Sequence, residues 1–215
     1  LELPVEELEI VGAEIRAKGS DERRKNVWIA LADVANAVAG TPGYALPGGV
    51  EPGLEATERL LFDAMPYVNG TAVAEVEVDP HTGGVEILSY KMTHDCGRMI
   101  NPMIVHGQVI GGAAHGIGNA LFEWMQYDAM AQPLTTNYAD YLLVTATELP
   151  RIEVVHTETP SPLNDLGVKG VGECGVIPAA AVLASAIEDA LTPFGVRIAR
   201  APITPPDILA LIRAA

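Results

Sequence analysis

Hydrophobic and polar residues alternate most clearly in the middle of the chain. From Gly70 to Asp95, "GTAVAEVEVDPHTGGVEILSYKMTHD" carries two alternating apolar runs around Asp79-Pro80-His81-Thr82-Gly83-Gly84. Alternation with period two marks a half-buried strand and the run of turn formers marks a reversal, so the stretch predicts a β-hairpin. Near the start, "LEIVGAEIRAKG" alternates in the same way, and "VWIALADVANAV" has helical spacing. Asn101-Pro102 breaks the chain; a helical run follows to about Glu123, and "EWMQYDAMAQPLTT" reads as a second, looser hairpin. "RIEVVHTE" predicts a strand, "TPSPLNDLGVKGVGECG" a loop, and Pro178 opens a helix that ends near Leu191. "GVRIARAPIT" predicts a short strand and turn, and "PPDILALIRAA" a terminal helix.

Strands and helices mix without strict alternation, which favours the α+β class. The stretch from Gly40 to Gly53 holds five glycines and three prolines. Such a long irregular connection is usually functional or domain-linking. It separates a small α+β segment with its linker, residues 1–53, from a larger portion, residues 54–215.

Composition narrows the function. The chain of 215 residues is 49% hydrophobic and 19% charged, a balance that suits a packed core and argues against wholesale disorder. Thirteen basic residues against 28 acidic ones give a net charge of −15, which repels phosphate backbones and disfavours nucleic acid as a partner. Cys96 and Cys174 form neither a CxxC pair nor a disulfide framework, and read as buried thiols of a reducing cytoplasm. No apolar run suits a membrane span. The N-terminus, "LELPVEELEI", lacks the basic start and apolar run of a signal peptide. The chain opens on Leu1, with the expectation that it is a fragment or processed piece.

Candidate chemistry gathers in two glycine-rich stretches. In "VHGQVIGGAAHGIGNALFE", Val105, Val109, Ala113, Ile117 and Leu121 recur every four residues as a core-facing stripe. Gln108, Gly111, Gly112, His115 and Asn119 share the opposite arc. Five glycines lie between 107 and 118, each costing roughly 0.5–1 kcal/mol against alanine in a helix. Either another backbone packs closely there or a ligand does. His106 and His115, nine residues apart without a neighbouring Cys or Glu, make a poor metal pair, so no metal ligand is assigned.

The second stretch is "LGVKGVGECGVIPAAAVLASAIEDAL". It matches G-x-G-x-x-G at Gly170, Gly172 and Gly175, but no strand precedes it and no acid ends a second strand, so the dinucleotide fingerprint fails. Lys169 precedes the glycines instead of following them, which excludes a P-loop. Successive backbone N–H groups in a glycine turn can form a concave anion site, and the following helix adds partial positive charge. Glu173 in that setting is either a complement to the helix dipole or a general base.

Together, "HDCGRMINPMIVHGQVIGGAAHGIGNALFEWMQYD" and "LNDLGVKGVGECGVIPAAAVLASAIEDAL" resemble the C-terminal part of the large subunit of molybdenum hydroxylases. This is the family of xanthine dehydrogenase, aldehyde oxidase and aerobic carbon monoxide dehydrogenase. The similarity runs from roughly Pro52 to Ala210, with a carbon monoxide dehydrogenase-like bacterial branch nearest in pattern. It implies a molybdopterin-binding fold and a molybdopterin cofactor, with a cytosine dinucleotide form among the options. Gln108, Gly111, Gly112 and His115 would face the cofactor, His115 standing where many relatives show glutamine. The backbone of Lys169, Gly170, Val171 and Gly172 would line the pocket, and Glu173 would be the catalytic base. In the family, water supplies the incorporated oxygen and electrons leave through iron–sulfur and FAD subunits or domains. An upstream Gly-Gln-Gly motif and active-site loop have no counterpart here, and there is no cysteine set for an iron–sulfur cluster. The resemblance therefore implies half a pocket: a fragment or split subunit, inactive alone, that needs the remainder of the molybdenum subunit. A small-molecule substrate would complete the site, and apolar surface left uncovered would favour self-association. The alternative is a non-catalytic assembly domain that keeps the fold.

Overall fold

The computed structural model describes residues 1–19, 27–40, 46, 48–49, 51–61 and 64–215. Half of the Gly40–Gly53 connection lies outside these residues. The chain divides into two compact units, Leu1–Leu61 and Phe62–Ala215.

In the first unit, strands β1 (Leu8–Val11), β2 (Glu14–Ala17) and β3 (Trp28–Ala30) form an antiparallel sheet in that order. The expected hairpin of "LEIVGAEIRAKG" is β1 and β2, turning at Gly12 with φ of 61°. The helix expected from "VWIALADVANAV" begins only at Leu31, as α1 (Leu31–Val38). Trp28 and Ile29 instead pair with Arg16 and Ile15 as a strand, where aromatic and β-branched side chains fit the pleat.

The second unit is built on β4 (Asn69–Val78) and β5 (Val85–Asp95), the antiparallel hairpin that the alternation predicts. Asp79 ties its turn: Oδ1 accepts from the His81 amide at 2.8 Å and Oδ2 from the Thr82 hydroxyl at 2.8 Å. A register shift falls opposite Glu75 and Val76, whose partners are Ser89 and Ile87. Leu88 is thus left unpaired. This bulge lets Ile87 and Tyr90 both face the core although three positions separate them. Strand β6 (Ile152–Thr157) adds parallel to β5, pairing Tyr90 with Ile152 through Asp95 with Thr157. A parallel pair needs a long crossover, and helix α2 (Pro102–Leu121) lies within it.

Helix α2 starts where Asn101 accepts from the Ile104 amide at 3.2 Å, with Pro102 in its first turn. Val105, Val109, Ala113, Ile117 and Leu121 are buried, as the four-residue stripe predicts. Helix α3 (Ala179–Ala190) follows Pro178 and packs against both β4 and α2. Leu183 and Ile187 join Tyr90, Val109 and Ile117 in one core cluster. Helix α4 (Pro205–Ala214) opens with a capping box between Thr204 and Asp207. The strand expected in "GVRIARAPIT" is absent: residues 196–204 are irregular. No sheet edge receives them, and their amides go elsewhere, Ile198 to the Glu188 carboxylate at 2.6 Å and Ile203 to the Ala120 carbonyl at 2.7 Å. The looser hairpin expected at 123–136 reduces to a bridge between Tyr127 and Pro133.

The two glycine stretches meet in this unit. A Cβ on Gly112 would sit 3.0 Å from the Gly175 Cα, and one on Gly175 would strike the Val109 carbonyl oxygen and, at 2.6 Å, the Ala113 nitrogen. One on Gly116 would strike the Ala179 methyl. Around Gly107 and Gly111 the space is open. Gly175→Ala is therefore expected to lower stability by about 2 kcal/mol through overpacking against backbone. Gly111→Ala is expected to raise it by roughly 0.5–1 kcal/mol. Urea unfolding of the two variants checks both signs.

Candidate active site at the glycine loop

The site starts from the end of β5. Asp95, 6% exposed, closes that strand and collects four donors. Its Oδ1 accepts from the Gly97 amide at 2.8 Å and the Thr159 amide at 3.1 Å. Its Oδ2 accepts from the Lys169 ammonium at 3.1 Å and, very closely, from the Thr159 hydroxyl. That hydroxyl in turn accepts from Lys169 at 2.7 Å. Burial pushes the Asp95 carboxyl up, but the hydrogen bonds from Thr159, Gly97 and Lys169 together outweigh it and hold the group well below the usual carboxylate range.

The loop attaches to this strand end through its backbone as well. The Lys169 amide donates to the Cys96 carbonyl at 2.7 Å, and the Gly167 carbonyl accepts from Arg98 and Ser161, each at 3.0 Å. Asn164 clasps Val168 from both sides, at 2.9 Å each. Gly97, at φ of 68°, lies against Gly167 so closely that a Cβ would strike the Gly167 carbonyl oxygen.

Past Lys169 the ties stop. The amides of Gly170, Val171, Gly172 and Glu173 donate to no group among the described residues. Glu173 is exposed, and its carboxylate has no hydrogen-bond or ion-pair partner there. The loop is secured again at Cys174, buried with its thiol donating to the Val171 carbonyl at 2.9 Å, and at Gly175 against α2. Between these two fixed points the Glu173 amide and carboxylate have no partner among the described residues, while its carbonyl accepts from the Val176 and Ile177 amides at 3.1 and 3.3 Å.

The α2 face lies on the far side of that second point. Gln108 and Gly112 are one turn apart, and Gly112 touches Gly175, two residues from Glu173. Gln108, Gly111 and His115 are exposed along the same side, and neither polar side chain has a partner among the described residues. Gly112 and Gly116 are occupied by packing, whereas Gly111 and Gly172 present bare backbone to open space. Close packing therefore accounts for Gly112 and Gly116 and does not account for Gly111. Lys169 directs its amide to Cys96 and its ammonium to Asp95 and Thr159, away from the free loop amides.

Three further polar residues, Tyr90, His94 and His156, lie on β5 and β6. His94 and Cys174 line a cavity of about 190 Å³ with Met92, Thr71 and Ile177. The His94 Nε2 and the His156 Nδ1 are buried without a protein partner, as is the Tyr90 hydroxyl. His106 Nδ1 lies 3.2 Å from His156 Nε2, so His106 pairs with β6 and not with His115. Burial, with His156 as the next cause, lowers the pKa of His94; burial and His106 lower that of His156. Burial raises both thiols, Cys96 and Cys174. No group of three His, Cys, Asp or Glu suited to a metal occurs among the described residues. No described helix is long and apolar enough to cross a membrane. The sequence reading used Lys169 only for its backbone and missed Asp95 and Thr159. An acid closing an alternating strand, directly before Cys-Gly, was the available signal.

Comparison with known proteins decides the family. Residues 1–150 match the model of the molybdopterin cofactor-binding domain. The chain belongs to that family. It is 41% identical over 209 residues to the 6-hydroxypseudooxynicotine dehydrogenase complex subunit gamma of Paenarthrobacter nicotinovorans, covering 97% of this chain and 25% of that protein. It is 35% identical over 181 residues to the carbon monoxide dehydrogenase large chain of Hydrogenophaga pseudoflava, covering 84% of this chain and 22% of that one. Among solved structures, quinoline 2-oxidoreductase from Pseudomonas putida 86 superposes with a TM-score of 0.84 at 36% identity, over 99% of this chain and 26% of that one. The chain thus spans about a quarter of the length of these relatives. The α+β fold and the resemblance to molybdenum hydroxylase large subunits are borne out. The family match begins at residue 1, upstream of the motifs that carried the resemblance, and ends before the glycine loop. The loop falls within the stretch shared with the first relative.

Because the Asp95 pKa is lowered in the fold, its contribution to stability is complete above the ordinary carboxylate range and is lost as pH falls through and below that range. Stability measured from pH 7 to pH 2 should drop in the native sequence. Asp95→Asn should start lower and show a shallower acid limb.

Proposed function

We propose that this chain supplies one wall of a molybdenum hydroxylase active site, with Glu173 as its general base. The observation that carries this reading is the unpartnered Glu173 carboxylate, held beside four free loop amides and next to a helix face that presents Gln108. Free amides of Gly170, Val171, Gly172 and Glu173 suit the polar oxygens of a pterin cofactor, as does the bare backbone at Gly111 and Gly172. Gln108 can both donate and accept at the same surface, with Gly111, Gly112 and His115 lining its approach. Lys169 holds the loop through its amide on Cys96 and its ammonium on Asp95 and Thr159. The molybdenum cofactor, when bound, takes two electrons from the substrate carbon. Glu173 accepts the proton that must leave the attacking water, a role that asks for an accessible carboxylate free of competing donors. In the full enzyme, electrons pass to iron–sulfur and FAD partners, and a small organic molecule is the substrate. The relatives' names, a 6-hydroxypseudooxynicotine dehydrogenase and a quinoline oxidoreductase, favour a nitrogen heterocycle or a relative of one over carbon monoxide.

In the complete enzyme, Glu173→Gln is expected to lower kcat at least ~1000-fold with molybdenum and pterin content unchanged, since it removes the base and keeps the shape. Unaltered turnover would favour a non-catalytic assembly domain. The isolated 215 residues, about a quarter of such a protein, carry only one wall of the pocket. Metal analysis of that piece should find no stoichiometric molybdenum, and assays should find no turnover.

A further inference from the structure

The Glu173 carboxylate has no partner among the described residues, while its carbonyl accepts from the Val176 and Ile177 amides at 3.1 and 3.3 Å, so where the side chain stands depends on how the two ends of its loop are held. One end is the Gly175 contact with α2. The other is Lys169, whose ammonium is as buried as its partner, with each side chain 9% exposed. Lys169 is the last residue tied to β5 before the free amides begin. We propose that Asp95 and Thr159 are positioning residues for Glu173, acting through the Lys169 ammonium as a clamp on the loop's N-terminal end. This rests on the reading of Glu173 as the base.

The geometry argues for a clamp over a bystander pair. Asp95 sits on a core strand, hydrogen-bonded in register to β4 and β6, so it is a rigid anchor. Its four donors fill both oxygens and fix the rotamer. Thr159 follows β6 by two residues, donates twice to Asp95 and accepts from Lys169, so the ammonium meets two acceptors at 3.1 and 2.7 Å. An ammonium held by two fixed acceptors, with its own backbone amide bonded to Cys96, has little freedom to swing. The position of residue 169 then limits where residue 173 can reach.

A buried pair broken on one side leaves an uncompensated charge, whereas removing both charges is often tolerated. That difference separates positioning from simple stabilisation. The complete enzyme is prepared as Asp95→Asn, Lys169→Met, the double variant, and Glu173→Gln. Melting temperature, cofactor content, kcat, KM and hydrogen exchange at the Arg98 and Ser161 amides are measured for each. Those two amides bridge the strand end to the Gly167 carbonyl and report the junction without turnover. Both single variants should melt early, and the double variant should recover most of the melting temperature. In all three, kcat should fall roughly 10- to 100-fold with KM nearly unchanged, as for a base misplaced by about an ångström. Exchange at Arg98 and Ser161 should stay about tenfold faster in the double variant. If the double variant regains native kcat and native exchange along with its stability, the pair is structural only and the proposal is overturned. Native kcat in either single variant overturns it too. Should Glu173→Gln keep full turnover, the base reading fails by itself, and exchange at the two amides still decides whether the clamp exists.

Discussion

The contact that organises this candidate site is backbone against backbone. Gly112 of α2 and Gly175 of the loop approach so closely that no side chain fits between them. Their lack of a Cβ lets a loop lie directly on a helix, and the price in helix propensity is borne by the chain at that point only. Because Gly112 is one turn from Gln108 and Gly175 is two residues from Glu173, the contact sets two otherwise remote polar groups on adjoining surfaces. Replace either glycine and the loop must rise away from the helix.

Around that contact, polar satisfaction is distributed unevenly. From Gly167 to Lys169 every amide is bonded, to Asn164 or Cys96, and the Gly167 and Val168 carbonyls accept from Arg98, Ser161 and Asn164. From Gly170 to Glu173 none of the amides is bonded among the described residues. The change at Lys169 leaves a row of free donors at one spot. The two cysteines, both free and raised in pKa by burial, add packing there without offering thiolate chemistry.

Much of this was legible from residue order. The β4–β5 hairpin, the buried stripe of α2 and the helix after Pro178 follow from periodicity and turn chemistry, which are local properties. What failed was also physical. Trp28 and Ile29 have the spacing of the helix that follows them, but β2 offers them an edge, and only the fold reveals that edge. Val196 and Ile198 are spaced like a strand yet find no partner strand, since Glu188 and the core take their groups first. The glycine face of α2 left packing and ligand binding open because a sequence does not say what lies opposite. Gly112 and Gly116 meet backbone or a methyl group and Gly111 meets nothing, a division invisible in the string of letters. The Asp95–Lys169 pair joins residues 74 positions apart, beyond any local pattern.

The central claim is that the free amides of residues 170–173 are donors to a cofactor, next to a base. Hydrogen exchange across residues 166–177 in the complete enzyme, compared between cofactor-loaded and cofactor-free preparations, tests it most directly. The account predicts marked slowing at Gly170, Val171, Gly172 and Glu173 on loading, with little change at Lys169, whose amide is already bonded to Cys96. Identical exchange at those four amides in both preparations would contradict it.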